Sequence, residues 1–255
     1  MLVIKHISIR YKEEEVVQAQ QLTLQPGQLV ALVGRNGSGK SSVIKGMMGQ
    51  NPFLKGEIRI EQKLIQDYKA AELSGLLAAV FTEAPYPAIM KIEEFVAFGR
   101  YPFNNWFGRL RAKDLALIDH LLEECQLRHL KGKSMDQLSD GERQRVMIAR
   151  ALAQESKVLL LDEPSTHLDG KNTISILKLL RKQAKENGKA VLFSTHRIVE
   201  SLELADQLWI IHRGNLAAYT KEEFLGDAEL QKEMLGEHII YQKKDGKHGF
   251  EINLS

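Results

Sequence analysis

The sequence predicts an α/β fold: a core with a parallel-strand sheet, an antiparallel β lobe near the N-terminus and a helical lobe in the middle of the chain. Three observations predict it. Strand-like segments fill roughly the first 60 residues, helical texture takes over across about 84–155, and strand and helix then alternate to residue 211. That final alternation is the pattern of βαβ units, whose strands run parallel with helices on their faces.

Taken in order, residues 2–9 alternate in polarity as a strand does, and 16–24 form a second candidate strand. Gln25-Pro26-Gly27 is a turn signal, after which 28–33 is a compact apolar run suited to a buried strand. Another alternating segment spans 56–60. In the middle lobe Leu115, Ile118, Leu121, Leu122 and Cys125 recur at spacings of three and four, which places Cys125 on the core-facing stripe of a helix. Residues 158–161 then read as a strand, 172–186 as a helix stopped by Gly188, and 190–194 and 208–211 as further strands. At the end, 238–243 and 248–252 flank Asp245-Gly246 and suggest a hairpin. The expected division is a main domain over 1–237, its helical lobe at about 84–155, and an appendage over 238–255.

Composition narrows the function. A chain of 255 residues that is 44% hydrophobic and 27% charged matches soluble globular proteins and excludes a disordered or fibrous one. It is long enough for one large domain, or two lobes sharing a core, without covalent staples. Cys125 is the single cysteine, so no intrachain disulfide forms, which suits a reducing compartment. Thirty-five basic against 33 acidic residues leave a net charge of +2, which argues against a nucleic-acid or anionic-membrane binder. The best apolar run, 76–81, has six residues against the roughly 20 of a membrane span. Residues 1–6 reach a charge too soon for a signal peptide, so the chain is expected neither to cross nor to enter a membrane by itself.

Three motifs carry chemistry. Gly34-Arg35-Asn36-Gly37-Ser38-Gly39-Lys40-Ser41 follows the buried strand and precedes a helical segment starting near Ser42, the setting of a phosphate-binding P-loop. Glycines let successive backbone N–H groups face phosphate, and the following helix end adds positive dipole. Lys40 is placed to reach the β- and γ-phosphates of a nucleoside triphosphate and Ser41 to hold Mg²⁺. The run Val158-Leu159-Leu160-Leu161 ends in Asp162 and Glu163, where an open α/β sheet collects its ligands. Asp162 is the candidate Mg²⁺ ligand and Glu163 the candidate base for an attacking water. Leu138-Ser139-Asp140-Gly141-Glu142 holds a Ser-x-x-Glu capping box. It is either simply a capped helix start or a second phosphate site.

In this order, and with the strand-end His196, the motifs resemble those of the ATP-binding subunits of ABC transporters; the likeness covers about residues 1–225. The resemblance implies that ATP and Mg²⁺ bind along Gly34, Arg35, Asn36, Gly37, Ser38, Gly39, Lys40, Ser41 and Ser42. It further implies that Tyr11 stacks on adenine, and that His196, with Lys40 and Glu163, serves catalysis at the γ-phosphate. Ser139, Gly141 and Glu142 would meet ATP held by a second copy of the chain, with Asp169 across the same interface. Asp140 and Glu142 depart from the usual Gly and Gln, each adding negative charge. The family's switch glutamine, a neighbour of Mg²⁺, falls at Glu83.

A narrower likeness lies in residues 94–103, Glu-Phe-Val-Ala-Phe-Gly-Arg-Tyr-Pro-Phe, which are similar to importer ATPases for siderophores, haem or cobalamin. The implied partners are a second copy, two integral-membrane permease subunits that Trp106 and Phe107 would approach, and indirectly an extracytoplasmic substrate-binding protein. No nucleic acid is implied. The implied location is cytoplasmic, peripheral on the cytoplasmic face of the inner membrane. An alternative is a soluble ABC-type ATPase of iron–sulfur cluster assembly, which also carries Glu at the position of Glu142. A DNA-organising ATPase would need long heptad insertions, and the stretch 42–135 has none.

Overall fold

The computed structural model describes residues 1–11, 14–82, 85–103, 110–166, 168–236, 239–244 and 247–252; the side chains of Tyr11, Glu14 and the residues beyond 236 are outside that description. The chain begins with β1 (Leu2–Tyr11), β2 (Glu14–Leu24), β3 (Leu29–Gly34) and α1 (Lys40–Met47). It continues with β4 (Leu54–Ile60), β5 (Lys63–Leu64), α2 (Ala70–Ser74) and β6 (Leu77–Val80). The middle segment carries α3 (Ile92–Ala97), α4 (Ala112–Glu124) and α5 (Asp140–Ala153). Next come β7 (Val158–Leu161), α6 (Gly170–Lys185), β8 (Ala190–Thr195), α7 (Ile198–Leu204), β9 (Gln207–His212) and β10 (Asn215–Tyr219). The last elements are α8 (Lys221–Gly226), α9 (Ala228–Leu235), β11 (Ile239–Lys244) and β12 (Lys247–Ile252).

Ten strands form one sheet in the order β5-β4-β1-β2-β10-β9-β3-β8-β7-β6. Strands β9, β3, β8, β7 and β6 are mutually parallel, while β1, β2, β4 and β5 pair antiparallel. The two halves meet through β10 and a single parallel pair, Asn215 with Gln18. Every residue of β3 is buried. Its side chains alternate between two cores, as a pleated strand requires. Leu29, Ala31 and Val33 join the core beneath α3 to α7, whereas Val30 and Leu32 join the core of α1 and the antiparallel strands.

The helical lobe is held together by a buried cation. Arg100, 4% exposed, donates from Nε to Asp114 Oδ1 at 2.9 Å and from Nη1 to the Ala153 carbonyl at 2.8 Å. The other oxygen of Asp114 accepts the Arg111 N–H at 3.0 Å, at the start of α4. One guanidinium thus joins the 3-10 segment Phe98–Phe103, the head of α4 and the tail of α5. The preceding residue must be glycine, because a Cβ on Gly99 would lie 2.2 Å from the Arg150 carbonyl oxygen.

Most of the expected stripe on α4 is buried: Ile118, Leu121, Leu122 and Cys125 all lie in the core. Burial, aided by the neighbouring Glu124 charge, pushes the Cys125 thiol up to about 12, so it is an inert core group. Leu115 departs from the stripe. It is 53% exposed, because the first turn of α4 overhangs a groove rather than the core. The terminal hairpin forms, with Ile239 opposite Ile252, and its Asp245-Gly246 turn lies outside the described residues.

Replacing Arg100 by Met should cost about 3–5 kcal/mol in chemical unfolding, since it leaves the Asp114 carboxylate buried without its cation. The double variant R100M/D114L should recover much of that loss. A single variant as stable as the parent would show that the pair does not tie the lobe.

Candidate functional site

Strand register gathers the motifs. Val33 of β3 lies opposite Thr195 of β8, and Leu161 of β7 lies opposite Phe193 of β8. Three neighbouring parallel strands therefore end side by side. The next residues along the chain are the loop from Gly34, the His196 turn and the Asp162-Glu163 pair. Carboxyl ends of adjacent parallel strands are where such sheets hold ligands.

The loop between β3 and α1 is shaped by its glycines. Gly37 and Gly39 take φ of 78° and 100°, conformations that side-chain-bearing residues rarely adopt. A Cβ on Gly39 would also sit 2.6 Å from Val17 Cγ2. Lys40, 5% exposed, folds its ammonium back over the loop. It donates to the carbonyls of Gly34 at 3.0 Å and Arg35 at 3.3 Å, and it pairs with Glu163 Oε1 at 3.3 Å. The buried hydroxyl of Ser38 has no partner among the described residues. A turn of backbone donors, a buried ammonium and an unpaired hydroxyl together fit a polyphosphate. Ser41 is exposed on the first turn of α1 and Ser42 half-buried beside it.

The two carboxylates have different surroundings. Asp162 is buried, and its Oδ1 accepts the Ser194 hydroxyl at 2.7 Å. Its other oxygen accepts no hydrogen bond among the described residues, and its backbone carbonyl takes the Thr82 hydroxyl at 2.6 Å. Glu163 turns the chain with φ of 46°, in the left-handed region that favours glycine. Its N–H donates to Ser194 Oγ at 2.8 Å, and its Oε2 accepts the Thr166 hydroxyl at 2.9 Å. His196 Nδ1 stands 3.6 Å from the same oxygen. Partial burial pushes the Glu163 carboxyl upward, but Thr166, the Lys40 ammonium and His196 outweigh it and hold the group below the usual glutamate range. An ionised Glu163 is the form able to accept a proton.

His196 also lines a cleft of about 390 Å³ with Gly34, Arg35, Asn36, Ile198 and Met234. The structure thus brings Lys40, Asp162, Glu163, His196 and the Gly34–Asn36 stretch together. Ser139, Gly141 and Glu142 are elsewhere, at the head of α5, and no hydrogen bond or ion pair among the described residues joins them to the cluster. The capping box forms there: the Ser139 N–H donates to Glu142 Oε2 at 2.8 Å and the Glu142 N–H donates to Ser139 Oγ at 3.4 Å. The Ser139 hydroxyl also donates to the Glu142 carboxylate at 2.7 Å, and this bond, with the backbone one, lowers the Glu142 pKa. The added charge of Asp140 is met by Arg143 at 2.8 Å. Asp169 caps α6, its Oδ1 accepting the Asn172 N–H at 2.7 Å.

The Tyr11 side chain, Glu83, and the segment with Trp106 and Phe107 lie outside the described residues. Two hydroxyls that sequence reasoning does not assign, Ser194 and Thr166, hold the carboxylates. Their nearest sequence signal is proximity, Ser194 two residues before His196 and Thr166 three after Glu163.

Comparison with known proteins agrees with the geometry. Residues 17–166, more than half of the chain, match the family described as ABC transporter. An uncharacterised ABC transporter ATP-binding protein of Methanocaldococcus jannaschii is 36% identical over 234 residues, 92% of this chain and 81% of that one. The petrobactin import ATP-binding protein of Bacillus anthracis is 31% identical over 216 residues, 85% of this chain and 79% of its own length. Among solved structures, a dimeric ATP-binding cassette in a post-hydrolysis state with ADP and Pi superposes with a TM-score of 0.74 at 25% identity, covering 87% of this chain and 99% of that one. From the match to the family and the strand-end cluster beside the glycine-rich loop, the chain belongs to the ABC transporter family as an ATP-binding subunit, a hydrolase of ATP.

Proposed function

We propose that this chain energises the import of an iron chelate by hydrolysing ATP at a site completed by a second copy of itself. The single observation that carries the catalytic part is the convergence of Lys40, Asp162, Glu163 and His196 at three adjacent strand ends. The petrobactin importer relative supports a siderophore as that chelate, while haem, and the cobalt chelate cobalamin, rest only on the likeness of residues 94–103. The relatives named above are transport subunits, which does not favour the iron–sulfur assembly alternative. The ATP-binding unit is residues 1–237, with 238–255 as an appendage.

In this mechanism the β3–α1 loop holds the phosphates through its N–H groups, and Lys40 leaves its carbonyl partners to pair with them. Ser41 and Asp162 would hold Mg²⁺, which suits a hydroxyl, a carboxylate oxygen with no hydrogen bond among the described residues, and the phosphates themselves. When bound, that ion neutralises charge developing on the transferred group. Glu163, released from Lys40, accepts the proton of the attacking water, while His196 donates toward the γ-phosphate. Catalysis rests on positioning and charge stabilisation, the mode expected of phosphoryl transfer. Ser139 and Gly141 of the second copy close over the nucleotide; the dimeric relative bound to ADP and Pi supports the pairing of two copies.

The helical lobe offers the partner surface. A groove of about 630 Å³ runs between α3 and α4, lined by Ala97, Leu110 and Ile118, with Phe98, Tyr101 and Leu115 exposed along it at 49%, 73% and 53%. Glu93 and Glu94 line its edge, along with Asp119, whose charge Lys131 meets. Such a groove fits a short permease helix with an apolar face and basic flanks. No helix among the described residues is long and apolar enough to cross a membrane, so membrane attachment would come through that partner.

Three outcomes follow from this reading. Glu163→Gln keeps shape but cannot accept the proton, so turnover should fall roughly 10²–10⁴-fold while ATP affinity and ATP-dependent dimers persist; parent-rate hydrolysis would rule Glu163 out as base. Glu142→Gln removes a negative charge facing the partner's nucleotide, and ATP-dependent association measured by ultracentrifugation should tighten on the order of threefold to tenfold. Weaker association would mean that the carboxylate serves the dimer. Leu115→Asp should abolish co-purification with the permease and leave ATP affinity of the isolated subunit unchanged; normal assembly would place the partner elsewhere.

A further inference from the structure

The geometry points to Ser194 as the positioning residue that sets both site carboxylates, acting through Asp162 and Glu163 and not on the nucleotide itself. Its hydroxyl is completely buried and makes two bonds at once. It donates to Asp162 Oδ1 at 2.7 Å and accepts the Glu163 N–H at 2.8 Å. The first bond leaves the other Asp162 oxygen as the open one, turned by the position of its partner. The second holds the backbone of Glu163 where φ is 46°, a left-handed turn that costs a glutamate and persists only when neighbours over-determine it. Thr166 then fixes the far end of the same side chain at 2.9 Å.

Strand register explains why one residue can do both. Because Leu161 lies opposite Phe193, the next residues fall side by side, Asp162 just past the end of β7 and Ser194 still within β8. Ser194 also stands two residues before His196, so β8 carries the positioning hydroxyl and leads directly into the histidine. Alanine at this position would leave the half-buried Glu163 N–H and the buried Asp162 Oδ1 without partners among the described residues.

This inference rests on the reading of Asp162 as Mg²⁺ ligand and Glu163 as base, and its test separates the two. Full-length Ser194→Ala should bind ATP in EDTA within about twofold of the parent, because Lys40 and the loop are untouched. The enhancement of ATP affinity by Mg²⁺ should fall, and kcat should drop roughly ten- to hundredfold, the usual weight of a hydrogen bond to a charged group, with KM for ATP nearly constant. Ser194→Thr, which keeps the hydroxyl, should restore both. If Ser194→Ala does not fold, Ser194→Cys, which keeps the size with a weaker donor, should show the same loss in kcat at parental Tm. Parental kcat and Mg²⁺ response in the folded variant would overturn the role, as would equal losses of EDTA and Mg²⁺ binding. Glu163→Gln, measured alongside, distinguishes the failures: if it also hydrolyses ATP at the parental rate, the carboxylate reading has failed and not only the role of Ser194.

Discussion

The register of β7, β8 and β3 is the constraint on which the rest of the molecule depends. These strands are buried on both faces, so apolar alternation alone leaves their relative sliding poorly defined. Polar contacts at the strand ends supply what the interior lacks. At the carboxyl end Ser194 bonds Asp162 across β8 and β7, and at the opposite end the Leu29 N–H donates to Asp206 Oδ2 at 2.8 Å, which sets β3 against the neighbouring β9. Asp206 is itself held by Lys185 of α6 at 2.7 Å. A slip of one residue between β7 and β8 would separate Glu163 from His196, and one between β3 and β8 would separate Glu163 from Lys40.

Charge in the site is held in exchangeable pairs. Lys40 is shared between two carbonyls and Glu163, three partners that, in the proposed function, a multiply charged phosphate near a helix N-terminus would replace. The same logic governs the departures at the head of α5. Asp140 is neutralised locally by Arg143, whose guanidinium lies 4.8 Å from the centre of the Tyr86 ring. Glu142 is occupied by the hydroxyl and N–H of Ser139. Neither acidic residue is loose charge, and each has a partner that the approach of nucleotide would have to displace.

Much of this was legible in the amino-acid order. The apolar runs of β3 and β7, each followed at once by its motif, placed the loop and the carboxylates, and the Ser-x-x-Glu spacing placed the start of α5. Strand ends were less legible where polar residues are buried, as at Ser194 and Thr195, because burial of a hydroxyl depends on a partner from another strand. The Arg100–Asp114 pair was invisible for the same reason: each residue alone reads as surface. Leu115 matched the helical period of its neighbours, yet period does not say where one core ends and a partner groove begins. Cys125, on the same period, is buried as expected.

The central claim is that one set of strand ends forms the phosphate site and that a second copy completes it. A crystal structure of the full chain with a non-hydrolysable ATP analogue and Mg²⁺ tests it most directly. The account predicts a triphosphate along the loop from Gly34 to Ser41, Lys40 turned from its carbonyls to the phosphates, and Asp162 still bonded to Ser194. It also predicts Ser139 of the partner subunit at the γ-phosphate. An analogue bound away from these strand ends, or a γ-phosphate met only by residues of one copy, would contradict it.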